Sequence, residues 1–529
     1  MLSDSGKSLT RGVSILSIAG ILCKLLGLLF TIPLTRTIGS EGLGIFQSVY
    51  PTYNLLLTLS SAGLPVAVSR MVSSYLAKDD PRNAHRVFKT AFWFLTALGT
   101  VCMFVMLGGN DLLTAWVKEP RASLGFIAIA PCLPLVCALS AFRGFMQGQQ
   151  DMKPTAFSQI VEQLGKLVFS LPLAFLGART SLAYGAAGAL LGITISEALA
   201  TLAVCILYFK RRSSFTRPQL SNNPPISSKS LSFRLFATSI PITVSACIVP
   251  LAQFVDSVMM VPRMMISGLT YNETRSLYGV FSGLVIRLIN IPTALALAVA
   301  MSLVPAVSAA QALHDHRKMQ DACNQGLKMA FLIGFPCSIG MSVLAREVFA
   351  FLYYESLSPE HFQIGWELLT VSSLTVVLFT VVQATSGILQ GLGKPHIPMI
   401  TLIFGVGFKI IMNYILVGIP NVNIHGGPFA SIVCYTVSLV PNLCFVCKYA
   451  RISFNFKEWI LLPAIATALM GLSIWALRSL LPLHRIYTVI EVTIGVLVYF
   501  LAALKLKILD ADDLNSMLRK IIHRRKKSS

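Results

Sequence analysis

Apolar stretches of about twenty residues recur from one end of this chain to the other, and they constrain its fold more than any other feature. Each stretch is long enough to cross the ~30 Å hydrocarbon core of a bilayer as a helix. Of the 529 residues, 55% are hydrophobic and only 12% are charged, whereas about a quarter of a soluble domain is charged. The ten-residue alternation of an outer-membrane barrel is absent from the sequence. The sequence therefore predicts an all-α, polytopic membrane protein.

The hydropathy pattern predicts fourteen membrane-spanning helices. Their approximate bounds are 13–35, 44–74, 86–109, 122–148, 153–178, 182–209, 233–261, 276–308, 325–352, 363–391, 395–419, 425–449, 457–479 and 485–507. The first could be mistaken for a signal peptide, but its apolar stretch is too long and Lys24 interrupts it. We expect this span to be retained.

The sequence also repeats itself at a nearly constant offset. Two segments of the first half resemble segments of the second half: "GLPVAVSRMVSSYLAKDD" resembles "LVPAVSAAQALHDH", and "AFRGFMQGQQDMKP" resembles "ATSGILQGLGKP". Gln147 and Lys166 match Gln390 and Lys409 at the same offset of 243 residues. We therefore predict two pseudo-symmetric six-helix lobes of the same orientation, followed by two C-terminal helices. The predicted divisions are an N-lobe (1–212), a linker (213–232), a C-lobe (233–450), spans 13 and 14 (451–508) and a basic tail (509–529).

The net charge of +21 is distributed as in a membrane protein rather than a nucleic-acid-binding protein. With the N-terminus assigned to the cytoplasm, 29 Lys and Arg residues lie at the inner ends of the spans and nine at the outer ends. This asymmetry follows the positive-inside rule and predicts that both termini are cytoplasmic. We expect the tail "RKIIHRRKKSS" to lie against anionic lipid headgroups.

Several classes of function lack support in the sequence. The eleven cysteines are mostly within spans, which argues against a disulfide framework. No Walker loop, dinucleotide-binding glycine motif or His/Asp/Glu cluster with metal-ligand spacing occurs. The longest loops have only about twenty-five residues, which leaves little room for the soluble site of a membrane transferase. We expect no cofactor, no metal and no enzymatic activity.

Four basic residues lie too deep in the spans for their head groups to reach the membrane surface. They are Lys24, Lys166, Arg287 and Lys409, and each is at least twelve residues from the nearest flanking polar position. That separation is ~18 Å or more along a helix, whereas a Lys or Arg side chain reaches only ~6 Å. These four residues are the candidate functional cations.

Two acidic residues share that depth. Glu162 lies one turn before Lys166 and is expected to neutralise it, which is the structural alternative to a functional role for Lys166. Glu197 lies in the middle of the sixth span. Four cations and two acids leave an excess of two positive charges, and an unpaired charge in the membrane should face water or a ligand. We expect Lys24 and Arg287 to bind an anionic substrate. For Lys409 the same role is expected, partly because of its position in the repeat.

The stretches "GLPVAVS" and "RGFMQGQQDMKPTAFSQIVEQ", with the fourteen-span layout, resemble the multidrug/oligosaccharidyl-lipid/polysaccharide exporter superfamily. The resemblance covers nearly the whole chain and is greatest to the branch of stage V sporulation protein B and the Gram-positive lipid II flippases. The family's eighth-span motif matches "RLINIP" at Arg287 and Pro292, with Asn290 in place of an acid. "KLLG" matches the first-span motif, with Lys24 in place of Arg. Phe30 stands where Gram-negative members have a second cation.

This resemblance implies a V-shaped pair of lobes around a cationic cavity, which moves a lipid-linked sugar precursor outward across the bacterial cytoplasmic membrane. The substrate would be undecaprenyl-pyrophosphate-linked, as in peptidoglycan or spore-cortex synthesis. We expect the cations to contact its phosphates, and Asn290, Pro292, Glu162 and Glu197 to support them. The other partners expected are membrane lipids and a coupling ion or the membrane potential. Nucleic acid is not expected, and the protein should be a monomer.

Alternative functions remain open at this point. A flippase for teichoic acid, capsule or another lipid-linked polymer would meet the same pyrophosphate. A cation-coupled multidrug exporter of the same superfamily usually carries an acid in its first-lobe core, yet the first span, from Val13 to Leu34, contains none. A membrane transferase acting on the same lipid would need a large loop or an acid/His constellation.

Overall fold

The computed structural model describes residues 2–215, 226–480, 485–506 and 508. These residues form helices joined by short connections, and no strand occurs among them, which confirms the predicted all-α class. The α-helices are α1 (Leu2–Ser61), α2 (Leu64–Leu76), α3 (Pro81–Gly108), α4 (Asn110–Val117), α5 (Ser123–Ile129), α6 (Cys132–Gly148), α7 (Lys153–Gly165), α8 (Leu171–Ala178), α9 (Leu182–Phe215), α10 (Ser228–Ile266), α11 (Tyr271–Tyr278), α12 (Ile286–Ile289), α13 (Thr293–Ala312), α14 (His316–Val343), α15 (Ala345–Tyr353), α16 (Pro359–Ser372), α17 (Leu374–Gly391), α18 (His396–Leu416), α19 (Gly426–Ala450), α20 (Leu462–Leu480) and α21 (Arg485–Lys505). Two 3-10 helices (Pro120–Ala122, Asn423–His425) and three π-helices (Lys166–Ser170, Gly279–Val285, Lys457–Leu461) complete the set.

Thirteen helical stretches in the described part of the chain are long and apolar enough to cross a membrane. The first, Leu22–Leu76, has 55 residues and covers most of the first predicted span and all of the second. Gly39 breaks the helix between them, with φ 67° and ψ −178°, a left-handed φ that favours glycine. The other twelve stretches correspond in order to predicted spans 3–14. The polytopic fold is therefore confirmed, with the first two spans joined in one long element.

By packing, the chain divides into two compact units. The first contains the residues up to Leu288, together with Glu355–His361 and Ile410–Gly426. The second contains Ile289–Tyr354, Phe362–Lys409 and the residues from Gly427 onwards. The first unit therefore extends beyond the predicted linker through α10 and α11 and ends at Leu288 in α12. The predicted lobe boundaries describe a sequence repeat, and they stay a prediction. Residues 216–225 of that linker and the tail 509–529 lie outside the described residues.

An aromatic cluster forms the core of the first unit. The ring of Phe88 lies 4.7 Å from that of Phe145, 5.0 Å from that of Tyr208 and 5.2 Å from that of Phe142. These rings come from α3, α6 and α9, and they pack with aliphatic residues of α2 and the start of α10. The contact surface of these helices is therefore apolar.

The second unit has its own core, built from α13, α14, α17 and α19. Trp459, in the π-helix before α20, is buried against it. Large apolar side chains such as Phe404, Leu472 and Trp475 are instead exposed. Exposed apolar side chains on long apolar helices are what a lipid environment requires.

Candidate functional site

Lys166 lies in a largely buried cluster of charges inside the first unit, whose side chains are 5–17% exposed. Its Nζ is 2.6 Å from Oε1 of Glu162 and 3.8 Å from Oε1 of Glu197. The first contact is the pair one helical turn apart that the sequence predicts. The second joins α9 to the segment after α7, and it shows that Glu197 has Lys166 as an ion-pair partner.

Arg143 completes this cluster, although the sequence did not predict it there because its position is near the inner end of a span. Its Nε donates a hydrogen bond to Oγ of Ser158 at 2.9 Å, and its Nη2 lies 3.4 Å from Oε2 of Glu162. Two cations and two carboxylates thus balance. One acceptor, Oε2 of Glu197, is buried without a hydrogen-bond partner among the described residues.

Local packing explains why these groups meet. A Cβ built on Gly165 would lie 2.6 Å from Cβ of Ser196, so only glycine allows α7 and α9 to approach so closely. The helix then widens into a π-helix over Lys166–Ser170. Short π segments often occur at functional positions because they redirect side chains within a helix. Here the segment begins at the lysine that contacts both carboxylates.

Lys24 lies half-buried on α1. Thr31 follows it by seven residues and is fully buried. Seven residues are about two α-helical turns, with a rise of ~10 Å and an angular offset of only ~20°. Lys24 and Thr31 therefore lie on the same face of the first span.

Arg287 contacts that same face. Its Nη1 donates a hydrogen bond to Oγ1 of Thr31, and its guanidinium lies 5.9 Å from the centre of the Phe46 ring. Both partners belong to α1, on either side of the break at Gly39. Arg287, on α12, thus contacts α1 at Thr31, about two turns from Lys24 on the same helix face.

The other predicted site residues have different surroundings. Asn290 is exposed, and its carbonyl accepts a hydrogen bond of 2.8 Å from Oγ1 of Thr293. Pro292 is buried at the start of α13. Lys409 is half-buried on α18, at the edge of the second unit. Its predicted role rests on the repeat and stays a prediction.

A second network of buried charges was not expected from the sequence, in which Arg275 counts as an exposed loop cation. Its side chain is instead 0% exposed, and its Nε lies 2.9 Å from Oε2 of Glu119, which is also 0% exposed. Arg121 joins Glu119 at 2.9 Å and Glu41 at 2.6 Å. Long-range pairing of this kind has no local signal, because Glu119 and Arg275 are 156 residues apart in the sequence.

Close backbone contacts accompany this network. A Cβ on Gly44 would collide with the carbonyl oxygen of Arg275, and one on Gly279 would collide with that of Ser40. The two glycines let α1 and the segment from α11 into the π-helix touch along their backbones. The network therefore has a rigid frame within the first unit.

The described residues offer no group of three or more His, Cys, Asp or Glu side chains that could hold a metal ion. None of the eleven cysteines forms a disulfide.

Residues 9–311 match the family described as polysaccharide biosynthesis protein, and residues 241–415 match the MatE family. Among curated proteins of Bacillus subtilis (strain 168), the chain is 26% identical over 490 residues to lipid II flippase MurJ, covering 88% of each chain. It is 24% identical over 460 residues to stage V sporulation protein B, covering 86% of each chain.

Solved structures share the fold. An inward-facing multidrug resistance MATE family transporter of the MOP superfamily superposes with a TM-score of 0.67 at 18% identity, covering 84% of this chain and 100% of that one. An inward closed conformation of lipid II flippase MurJ also has a TM-score of 0.67, at 14% identity, covering 92% of this chain and 97% of that one. At these identities the likeness concerns the fold alone.

Proposed function

Because this chain belongs to the polysaccharide biosynthesis protein family, we propose that it is a flippase for an undecaprenyl-pyrophosphate-linked cell-wall precursor of the lipid II kind. Its curated relatives include a lipid II flippase and a sporulation protein, and the chain itself is a polytopic membrane protein of a flippase and transporter family. The precursor would serve peptidoglycan or the spore cortex. The observation that carries the proposal is the hydrogen bond from Arg287 to Thr31, which lies about two turns from Lys24 on the same face of α1.

The physical need for these cations comes from the substrate. A pyrophosphate is an anion of roughly two charges at neutral pH, and even a single charge at the centre of a bilayer costs ~2.5–3.5 kcal/mol on the translocon scale. Fixed cations at that depth offset this cost. Arg287 suits the role because its planar guanidinium donates paired hydrogen bonds to phosphate oxygens and keeps its proton there.

The remaining parts of the proposal follow from the same chemistry. The lipid tail is apolar and can stay in the hydrocarbon, while the protein exposes its cationic site alternately to the two sides of the cytoplasmic membrane. No covalent bond is made or broken, so the protein acts as a transporter rather than an enzyme. A coupling ion or the membrane potential would drive transport in the outward direction. We propose that the protein works as a monomer with both termini in the cytoplasm.

The four predicted cations have different surroundings. Lys24 and Arg287 are the principal phosphate ligands. Lys409 is a further candidate phosphate ligand, and its support is its correspondence to Lys166 in the repeat. Lys166 itself is held by Glu162 and Glu197, which favours the structural alternative for that residue.

Complementation tests the proposal. In a bacterium depleted of its lipid II flippase, the wild-type chain should restore growth, and Lys24→Ala and Arg287→Ala should not. Loss of a charge-assisted contact costs ~1.5–3 kcal/mol, or about ten- to a hundredfold in affinity. Lys24→Arg should retain activity, and Arg287→Lys should be intermediate because it keeps the charge without the fork.

Arg36→Ala is the matched control, since Arg36 also lies on α1 but is exposed and paired with Glu355. It should complement as well as the wild type. Membrane levels of all variants are measured by immunoblotting. Normal growth with both alanine variants would reject the phosphate site.

A multidrug exporter is the second candidate, because a MatE match and a MATE transporter structure are among the comparisons. The first-unit acids Glu162 and Glu197 contact Lys166, and Arg143 also contacts Glu162, which leaves less negative charge for a cationic drug. Drug resistance conferred on a sensitive strain, without complementation of the flippase, would favour this alternative. Complementation of a teichoic acid or capsule flippase, but not of the lipid II flippase, would instead identify another lipid-linked polymer as the substrate.

A further inference from the structure

We propose that Thr31 is a positioning residue, whose hydroxyl holds the guanidinium of Arg287 in the orientation that receives the substrate's phosphates. This inference rests on the proposed function. It adds a residue with no charge of its own to the proposed site, and it predicts how that residue acts.

The hydrogen bonds of Thr31 support this role. Its Oγ1 accepts from Nη1 of Arg287, and its own hydroxyl proton is donated to the carbonyl of Gly27 at 2.9 Å. Because the hydroxyl donates along the helix, its lone pairs are turned towards Arg287. Thr31 is fully buried, and its branched Cβ restricts the side chain to few rotamers in a helix. The acceptor that Arg287 meets is therefore fixed in place.

A second group on α1 bounds the guanidinium. The ring of Phe46 lies 5.9 Å from it, is fully buried and stacks on Tyr50 with 5.7 Å between ring centres. Thr31 and Phe46 are both neutral, so these two contacts orient the guanidinium without cancelling its charge. The contact of Lys166 with Glu162 differs, because a carboxylate 2.6 Å away neutralises the ammonium.

The backbone that carries Arg287 is also held against α1. Arg287 lies on the four-residue helix α12, directly after the π-helix Gly279–Val285. Nε2 of Gln47 donates a hydrogen bond of 3.0 Å to the carbonyl of Ser282 inside that π-helix. Both the backbone and the head group of Arg287 are thus tied to the same helix.

Orientation matters because a guanidinium binds a phosphate best through two parallel hydrogen bonds, which require one plane. A fork fixed in advance loses less conformational entropy when the phosphate arrives. Loss of the Thr31 hydroxyl should therefore weaken binding of the phosphate while the charge itself remains.

The test uses Thr31→Val, which preserves the shape of the side chain but removes the acceptor. The full-length protein is reconstituted into liposomes with fluorescent lipid II, and the initial flipping rate is measured against the mole fraction of lipid II. We expect the half-saturating mole fraction to rise by about tenfold, as for one hydrogen bond to a charged group. Thr31→Ser should restore most of the wild-type value.

Thr35→Val is the matched control. Thr35 is a buried threonine one turn further along α1, and its hydroxyl donates to the carbonyl of Thr31 at 2.8 Å. We expect this variant to flip lipid II with a normal half-saturating mole fraction. Thr31→Val should have no further effect when it is combined with Arg287→Ala, because the group that it positions is then absent.

Several outcomes would overturn the inference. One is normal flipping by Thr31→Val while Arg287→Ala does not flip lipid II. This outcome would reject the role of Thr31 and leave the proposed function intact. Equal impairment of Thr31→Val and Thr35→Val, with equal losses of thermal stability, would mean that Thr31 is only structural. Failure of Thr31→Ser to restore binding would also reject it. Normal flipping by Arg287→Ala would reject the proposed function itself.

Discussion

The buried ion pair between Glu119 and Arg275 gives a quantitative prediction for stability. Both side chains are 0% exposed, and Oε2 of Glu119 lies 2.9 Å from Nε of Arg275. Glu119→Gln removes the negative charge and keeps the shape, so the guanidinium of Arg275 stays buried without its counter-charge. The variant also breaks the pair of Glu119 with Arg121, which is 32% exposed and keeps Glu41 as a partner, so the larger cost falls on Arg275. Breaking a buried pair in this way costs about 3–5 kcal/mol of unfolding free energy.

Other contacts of Arg275 set the expected value within that range. Its guanidinium also donates to Oγ of Ser48 at 2.7 Å and to the carbonyls of Val117 and Lys118 at 2.6 Å each. These neutral acceptors remain in the variant and reduce the loss of unfolding free energy. We therefore expect a destabilisation near the lower end, about 3 kcal/mol.

The measurement is denaturant-induced unfolding of the purified protein in detergent micelles, followed by tryptophan fluorescence. Trp116, one of the five tryptophans, lies three residues before Glu119, and its ring centre is 6.3 Å from that of Phe254, so part of the signal comes from this region. Glu355→Gln is the control, because it breaks an ion pair of the same length, 2.9 Å, whose side chains are 46% and 57% exposed. An exposed pair of this kind contributes about 0–1 kcal/mol.

A double variant separates charge from packing. Glu119→Gln combined with Arg275→Met removes both charges and should be more stable than Glu119→Gln alone, because no uncompensated charge stays buried. Equal losses from Glu119→Gln and Glu355→Gln would refute the reasoning, since burial would then not determine the cost.

Two further predictions concern topology and the linker. In a protein without native cysteines, a cysteine introduced into 110–121 or 420–427 should react with an impermeant thiol reagent in intact cells, and one at 314–318 should not. The reason is that Lys and Arg concentrate at the inner ends of the spans. Reaction at 314–318 would show that the predicted orientation is reversed. If 213–232 only joins two lobes, cutting the chain near Asn222 and co-expressing the halves should preserve part of the transport activity. Loss of activity with both halves present in the membrane would show that the segment does more than connect them.

The parts of this structure that the sequence predicts are those with local causes. Hydropathy is a property of about twenty consecutive residues, and it located the spans. The pair of Glu162 with Lys166 follows from a spacing of four residues on a helix. To the predicted spans the structure adds the break at Gly39, which separates the first two spans within one long helix without a loop.

The parts that were missed depend on residues distant in the sequence. Arg275 was assigned to a loop because it lies near a span end, and only the folded chain brings Glu119 to it. Arg143 was missed for the same reason, because its partner Glu162 is on the next helix and only the folded chain brings the two together. Thr31 gave no signal at all, because a threonine in an apolar span usually bonds its own helix, and its contact with Arg287 is 256 residues away in the sequence.

The π-helix Gly279–Val285 has a consequence for the direction in which two arginines point. Arg275 and Arg287 are twelve residues apart, which in an uninterrupted α-helix would rotate them about 120° from each other. A π turn accommodates roughly one extra residue, so the separation becomes that of eleven α-helical residues, about 20° beyond three full turns. Both guanidiniums can then face α1, where Arg275 reaches Ser48 and Arg287 reaches Thr31. With an α-helix of the same length, one of them would turn away from its partner.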